Sequence, residues 1–472
     1  MNNKPYYDVV IVGAGPAGLF AAYNLAKKTD NIIVIDSGKD IYHRSCPLRE
    51  GRAKQCVNCS PCNIMQGFGG AGTFSDCKLS LTPYGVGGDI IDYISDSDAN
   101  SYINEVEYLF ASFDPFNSKR RIIGKDIPSQ LTDAAEQCSL TLTKCPTKHL
   151  GTDGTLVVMR NLFQYLKEDR NVQFCFDTEV TKVVEEKEDS SSETISVYTD
   201  KDIIFNAKNV IFAVGRSGNH WLKNVIAKDL GIKTVSNKVD VGVRVEVDAE
   251  DIEDITSLLY DMKFSKVDAS GNKVRTFCTN PRGYVSEEHY DSDTCLVNGH
   301  SFARKKTNRT NFALLVTLNN AAITSDYVRQ LIQLKNSVVG NKIMVQDYAS
   351  FAHLLPFDSS KISKQETNTL KTAVPFDMNN ILPSIVKDNI LSFMTAFEKL
   401  IDIYCNKSLD LYSVTLYGLE AKFYSDRIEV DNHFETAKKG IYAVGDGSGI
   451  TRGIVQSCVS GMVAADNIIA NL

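Results

Sequence analysis

Three groups of residues in this 472-residue chain have the types and spacing that chemistry requires. The first is Gly13-Ala14-Gly15-Pro16-Ala17-Gly18. At such positions the first glycine permits a tight turn, the second lets backbone approach a pyrophosphate, and the third lets a helix pack closely on a strand. A helix that starts there offers unbonded N–H groups and the positive end of its dipole to phosphate. Asp36 closes the next apolar run, where an acid receives ribose hydroxyls. The second group is Gly445-Asp446-Gly447 with Gly449, Arg452, Gly453 and Ile454 close behind. The third is a set of cysteines: Cys56, Cys59 and Cys62 in C-x2-C-x2-C spacing, with Cys46 preceding Pro47.

The elements needed to hold the first group are legible around it. Tyr7 to Val12 is a short β-branched run without helical period, which reads as a buried strand. A helix from about Pro16 to Lys28 follows, and Ile32 to Asp36 is a second buried strand. Strand, helix and strand over this length form the βαβ unit of a parallel sheet. The second group is framed in the same way, by a strand over 440–446 and a closing helix over about 453–471. Between them, helical patterning is expected at 99–112 and 154–168, and strands at 172–184, 195–199 and 209–214. Residues 40–90, rich in Gly, Cys and Pro, form a long excursion, and 185–193 a polar hairpin tip. From about 235 to 405 the character changes to mixed strands and helices. The fold class is therefore α/β: a discontinuous Rossmann-type domain over 1–234 and 406–472, of the glutathione-reductase-like kind, with an inserted mixed α+β substrate or cap domain over 235–405.

Asp446 selects the dinucleotide. In flavoproteins of this architecture a late strand ends in Gly-Asp, and the acid hydrogen-bonds the ribityl chain. The helix start that follows directs N–H groups at the flavin pyrimidine edge, where negative charge develops on reduction. The cofactor is therefore expected to be FAD. Ala213 to Gly218, with Gly215 at its turn, is similar to a third element of such proteins. Val180 is placed at the same site. No second G-x-G-x-x-G follows a strand, so NAD(P)H would be a transient reductant rather than the owner of its own domain.

Other segments resemble a known group. Gly67 to Asp76, Val241 to Glu246, Arg275 to Cys278 and Val297 to Ser301 look like the bacterial FAD-dependent dehydrogenase family, over nearly the whole chain. The resemblance implies FAD, two domains and redox chemistry, and no particular substrate. The chain departs from that pattern at Cys77, where glycine is expected, and at Pro281-Arg282-Gly283 in place of Pro-Gly-Gly. Gly69, Gly70, Ala71 and Gly72 are small enough for backbone to pass over an isoalloxazine ring, and Ser75 and Asp76 are placed to hydrogen-bond cofactor or substrate.

The cysteine set leaves three readings open. Cys46, Cys56, Cys59 and Cys62 match ligand spacing for a [4Fe–4S] cluster, with Cys77 as a substitute ligand. Zinc accepts four thiolates as well. Metal-free thiols, including a redox-active pair near the flavin, are the third. In the middle block, Arg244, Arg275, Arg282, His289, His300 and Arg304 are candidates to hold an anionic substrate, since the arginine fork binds carboxylates bidentately. His300 is the preferred acid or base, with Arg244 and Arg275 beside it in role. His353 reads as a packed loop histidine and Trp221 as core.

Composition bounds the rest. Hydrophobic residues make up 43% and charged residues 23%, the mix of a globular protein without a membrane span. The apolar stretch Val9 to Ala22 is interrupted by glycines and reads as fold rather than as a leader. Net charge of -7 lowers the expectation of a nucleic-acid partner. Twelve cysteines without a secretion signal point to a reducing, cytoplasmic setting. The expected function is an FAD-dependent oxidoreductase moving hydride or electrons between a small organic substrate and NAD(P)H or a ferredoxin-like redox protein. A flavin-dependent tRNA-modifying enzyme and a non-catalytic interaction protein on the same scaffold, as in Rab escort proteins, are the alternatives.

Overall fold

The computed structural model describes residues 5–472 apart from 54–56, 58, 76, 86–87, 89, 189–191, 260, 290–293, 301–305, 320–323, 364–367 and 423–424. The chain forms two compact units. The first comprises Met1–Ile122, Pro146–Asn237 and Ser425–Leu472, and the second Ile123–Cys145 and Lys238–Tyr424.

In the first unit, β1 (Tyr6–Val12) sends Val9 and Ile11 into one apolar core and Val10 and Val12 into another. Burial on both faces explains its unbroken apolar run, as in the interior strands of parallel sheets. Helix α1 (Pro16–Leu25) begins with Pro16 in its first turn, where a missing N–H costs nothing. It ends three residues before the expected Lys28. There Lys27 and Lys28 bond to the carbonyls of Asn24 and Leu25, and the helical ladder tightens into a turn. After β2 (Ile32–Ile35) come α2 (Asp96–Ser112), which Ser95 caps through the Asp98 amide, and α3 (Gly151–Gln164). Then follow β3 (Gln173–Cys175), β4 (Val180–Glu188), β5 (Ser192–Thr199), β6 (Ile204–Phe212) and α4 (Gly215–Trp221). The unit closes with β7 (Ile441–Ala443) and α5 (Ile454–Asn471).

These strands make one sheet. Parallel pairing runs β3-β2-β1-β6-β7, while the first half of β6 also pairs antiparallel with β5, and β5 with β4. The chain leaves β1 toward β2 on one side and reaches β6 on the other. Such a reversal opens a crevice at the carboxyl ends of the strands. One core packs α1, α2 and α5 on one face of the sheet, and the other buries Leu222 and Ile226 against the opposite face. No helix among the described residues is long and apolar enough to cross a membrane.

The second unit is built on an eight-stranded sheet whose centre is the antiparallel set Thr415–Lys422, Asp240–Asp248, Arg309–Thr317 and Lys273–Asn280. Val241, Val243, Val245 and Val247 face a core shared with the helices Ala249–Thr256 and Ser384–Leu400. On the other face, Arg244 and Glu246 are buried as well. The unit extends past the expected boundary of 405 because Thr415–Lys422 pairs within its sheet. It also takes in 123–145, since Thr141 and Leu142 pair with Ser265 and Phe264. Pairing across such separations leaves no local pattern.

Both positions where the family resemblance expects glycine are left-handed: Cys77 at φ 48° and Arg282 at φ 50°. The backbone keeps the conformation that glycine would serve, and the side chains bear the strain.

Candidate flavin site

The carboxyl ends of β1, β2, β6 and β7 open into a cavity of about 480 Å³ in the first unit. Its wall includes Val12 at the end of β1, Asp36 after β2, Ala213 after β6 and Gly445 after β7. Gly13 turns at φ +109°, and a Cβ there would stand 2.4 Å from the Ala213 carbonyl oxygen. Gly15 faces open space, its nearest such contact being 4.0 Å away. It is also the N-cap of α1, with no side-chain cap and no acid in the first turn. The amides of Pro16's turn therefore remain available to an anion, as do those of α5, where Gly453 is an uncapped N-cap.

Asp36 does more than the sequence implies. Its Oδ2 accepts from the Ala14 amide at 2.7 Å, and its Oδ1 from the amides of Gly38 at 2.7 Å and Gly67 at 2.8 Å. One carboxylate thus ties the first glycine turn to the 67–72 loop. Arg44, buried, completes that loop: its guanidinium donates to the carbonyls of Asn63, Ile64, Phe68 and Gly70 at 2.6–3.0 Å. Burial lowers its pKa to about 10, with Asp36 and Cys62 opposing.

Asp446 forms an ion pair with Arg216 at 3.1 Å. Burial raises its pKa, and Arg216 then Arg452 oppose the rise. Folding therefore favours the neutral acid: that contribution is complete below the ordinary aspartate range and is lost as pH rises through the raised value. Asp446→Asn is accordingly expected to leave the cofactor-free protein at least as stable as wild type at neutral pH, measured as its urea midpoint. A lower midpoint would mean that the charge itself is structural.

Most of the residues singled out in the sequence meet at this cavity: Gly13, Gly15, Pro16, Ala17, Asp36, Gly70, Ala71, Gly72, Ser75, Val180, Gly215, Gly445, Asp446, Arg452, Gly453 and Ile454 line it. Gly18 and Gly69 act behind the wall. A Cβ on Gly18 would lie 2.0 Å from the Gly13 carbonyl oxygen, and one on Gly69 2.0 Å from Thr73 Oγ1. Asp76 lies outside the described residues. Ser37, Gln66, Glu179 and Ser457 also line the cavity and carried no local signal, as do Arg216 and Ser217 from the Ala213–Gly218 segment. Trp221, expected in the core, lines it too, with its ring edge-on to Phe212 at 6.1 Å.

The middle-block candidates do not gather at this cavity. Arg244, expected to hold a substrate, is fully buried in a pair with Glu420, whose oxygens it meets at 2.9 Å through Nε and Nη2. It also donates to Asn311 and Asn298. A Cβ on Gly299 would lie 2.3 Å from Arg244 Nη1, so the Asn298-Gly299 phrase packs over the guanidinium. Arg275 pairs with Asp240 and stacks over Phe277. His300, itself exposed, ends the hairpin strand Cys295–His300 opposite Tyr284. Arg282 pairs with Glu253 at 2.9 Å, and His353 meets Lys387 at 3.3 Å. His289 sits on the strand Tyr284–His289, and Arg304 lies outside the described residues.

Of the cysteines proposed as ligands, Cys46, Cys59 and Cys62 are half-buried free thiols, and Cys56 lies outside the described residues. Among the described residues no three His, Cys, Asp or Glu side chains are placed to share a metal. Cys77 is buried, which pushes its pKa up to about 11, and Cys458, also buried, is raised further. Brief alkylation at pH 8 is expected to label Cys59 and Cys62 in the folded protein and to spare Cys77 and Cys458, as peptide mass mapping would show. Labelling of Cys458 before unfolding would refute its burial.

Residues 7–58 match the pyridine nucleotide-disulphide oxidoreductase family, and 238–421 match the FAD-dependent protein, C-terminal domain-like family. The chain is a flavin-dependent oxidoreductase. An uncharacterised protein of Clostridium beijerinckii is 22% identical over 98% of this chain and 80% of its own length. One of Methanosarcina barkeri is 55% identical over 11% of this chain and 13% of its own. Among solved structures, glycine oxidase from Geobacillus kaustophilus has a TM-score of 0.36 at 11% identity, covering 98% of this chain and 95% of its own. NikD, an unusual amino acid oxidase essential for nikkomycin biosynthesis, has a TM-score of 0.36 at 12% identity, covering 99% and 95%.

Proposed function

We propose that this oxidoreductase works in two half-reactions at the cavity of the first unit, taking electrons from NAD(P)H or a ferredoxin-like protein and passing them to a small organic acceptor, or the reverse. When bound, FAD supplies the electron transfer. The observation that carries the reading is the meeting of Gly13, Gly15, Asp36 and Asp446 at the carboxyl ends of four strands, beside two uncapped helix N-termini. Gly15 and the first turn of α1 would hold the diphosphate, and the side of the cavity near Asp36 and Glu179 the adenosine. Asp446 would accept from the ribityl hydroxyls. Gly72, Arg452 and the start of α5 would surround the ring, where the amides and Arg452 place positive charge. The parallel sheet with its antiparallel β4-β5 addition supports a glutathione-reductase-like first unit, and the second unit would be a substrate domain.

Anaerobic purification followed by an absorption spectrum, before and after NADH, NADPH or a reduced ferredoxin, tests this. One FAD per chain, bleached by one of these donors, is the expected result. A colourless protein that takes up no FAD would overturn it. The same spectrum reports any iron–sulfur absorption from Cys46, Cys56, Cys59 and Cys62.

Arg216 is half exposed and has Asp446 as its ionic partner. Arg216→Ala is expected to raise the FAD dissociation constant by about tenfold, the scale of one charge-assisted hydrogen bond. Titrating apoprotein with FAD and following flavin fluorescence would measure it. An unchanged constant would remove Arg216 from the binding set.

A further inference from the structure

A second cavity, of about 600 Å³, adjoins the flavin cavity in the first unit. Cys59 and Cys62 both line it, and neither is buried, unlike Cys77 and Cys458. The same lining includes Asp177, Glu179 and Asp200. Of these, Asp177 has Lys39 at 3.5 Å, and Asp200 accepts from the Glu179 amide at 2.9 Å. The two cavities share Ser37, Met65, Gln66, Glu179 and Ser217, which places the thiols beside the Asp36 side of the flavin cavity rather than beside Gly72 and Arg452.

Cys62 is hydrogen-bonded to that shared wall. Its amide donates to Gln66 Oε1 at 2.9 Å, and its carbonyl accepts from the amides of Met65 at 3.0 Å and Gln66 at 2.9 Å. The next residue, Gly67, donates to Asp36. The Cys62 backbone is therefore linked to Asp36 through the Gln66–Gly67 peptide, with hydrogen bonds at each end.

We infer that Cys59 and Cys62 form a thiol–disulfide site whose closure loosens the grip on FAD, and whose oxidant is a small disulfide without negative charge. The reaction is an exchange. One thiolate attacks the external disulfide, that S–S bond breaks, and the first small thiol leaves with a proton. The second cysteine then attacks the mixed disulfide, closing Cys59–Cys62 and releasing the second small thiol. The protein gives up two electrons and two protons, and the reagent gains them. Among the described residues the cavity lining carries three carboxylates and no cation. Lys39 is paired to Asp177, and Arg44 is buried near Cys62 and held by backbone carbonyls. That lining disfavours an anionic reagent such as oxidised glutathione and favours a dication such as cystamine. Closing the bridge draws Cys62 toward Cys59 and disturbs the Gln66 contacts. The effect on FAD rests on the proposed flavin reading; the exchange itself does not.

The test treats the purified holoprotein with cystamine or with oxidised glutathione at equal concentration, blocks free thiols, maps the bridge by mass spectrometry and measures the FAD dissociation constant. Expected are a Cys59–Cys62 bridge, faster closure with cystamine, and a rise of about tenfold in the constant, the scale of one lost hydrogen-bond contact. Dithiothreitol should reverse the change, and Cys59→Ser should not show it. Thiols that stay reduced, a bridge to any other cysteine, or iron or zinc bound at these sulfurs would overturn the site. A mapped bridge with an unchanged constant would overturn the coupling. A mapped bridge in a chain that never binds FAD supports the exchange site and sinks the flavin reading instead.

Discussion

Gly13→Ala is expected to yield protein without flavin absorbance and with about 2–5 kcal/mol less stability, from a left-handed backbone held by a residue with a Cβ and from overpacking of the turn. The φ of +109° is costly for any L side chain, and the new methyl would meet the Ala213 oxygen at 2.4 Å and its carbon at 2.7 Å. Relief requires β1 and β6 to separate just where the cavity opens. The Gly13 amide bonds to the Ile35 carbonyl at 2.7 Å and the neighbouring Ala14 amide to Asp36, so the shift would carry β2 and the acid with it. Flavin content and a urea unfolding curve measure the two effects. A yellow variant with an unshifted midpoint would show that the turn tolerates a side chain, and the assignment of Gly13 would fail.

Arg244→Met should cost about 3–5 kcal/mol, because it removes the bidentate partner of buried Glu420 and leaves it the longer contact to Lys422 at 3.7 Å. Both side chains are fully buried. Burial opposes the Arg244 charge, and Glu420 with Cys278 more than offsets it, so the arginine pKa is raised. The double variant Arg244→Met with Glu420→Leu is expected to recover much of the loss, since two apolar groups of similar volume need no partner. Urea midpoints of the wild type, both singles and the double decide it. Turnover that collapses in Arg244→Met while the midpoint holds would return the residue to the substrate role that its sequence context suggested.

Arg244 shows why the second unit was less legible than the first. In sequence it stands in an alternating strand as a cation between valines, which reads as one buried face and one solvent face. In the structure both faces are covered, because the hairpin of Tyr284–His289 and Cys295–His300 packs over Arg244 and other distant residues close over Glu246. Glu246 is hydrogen-bonded there by Thr369 and Tyr417, and burial raises its pKa. Gly299 lets that hairpin approach the guanidinium. Asn298 and Gly299 thus pack over the guanidinium, with exposed His300 beyond them at the strand end.

Gly461 makes the same point in the first unit. It lies mid-helix in α5 without any motif, yet a Cβ there would stand 2.0 Å from the Ala17 carbonyl oxygen. The α1–α5 crossing depends on it, and with it the position of Gly453 beside Gly15.

What the sequence by itself determined was everything enforced within a few residues. That includes the Gly13–Gly18 turn, the strands on either side, Asp36 at the second strand end, and the Gly-Asp before the last helix. Each is set by local sterics or by a helix terminus, so type and spacing suffice. The tertiary structure decided which distant residues share a wall with them. Arg216 reaches Asp446, and Gln66, Glu179 and Ser457 reach the cavity, because strand order reverses beside β1 and brings four strand ends together. It also decided which charges are buried, since exposure depends on what packs over a strand, and that covering comes from segments far away in the chain.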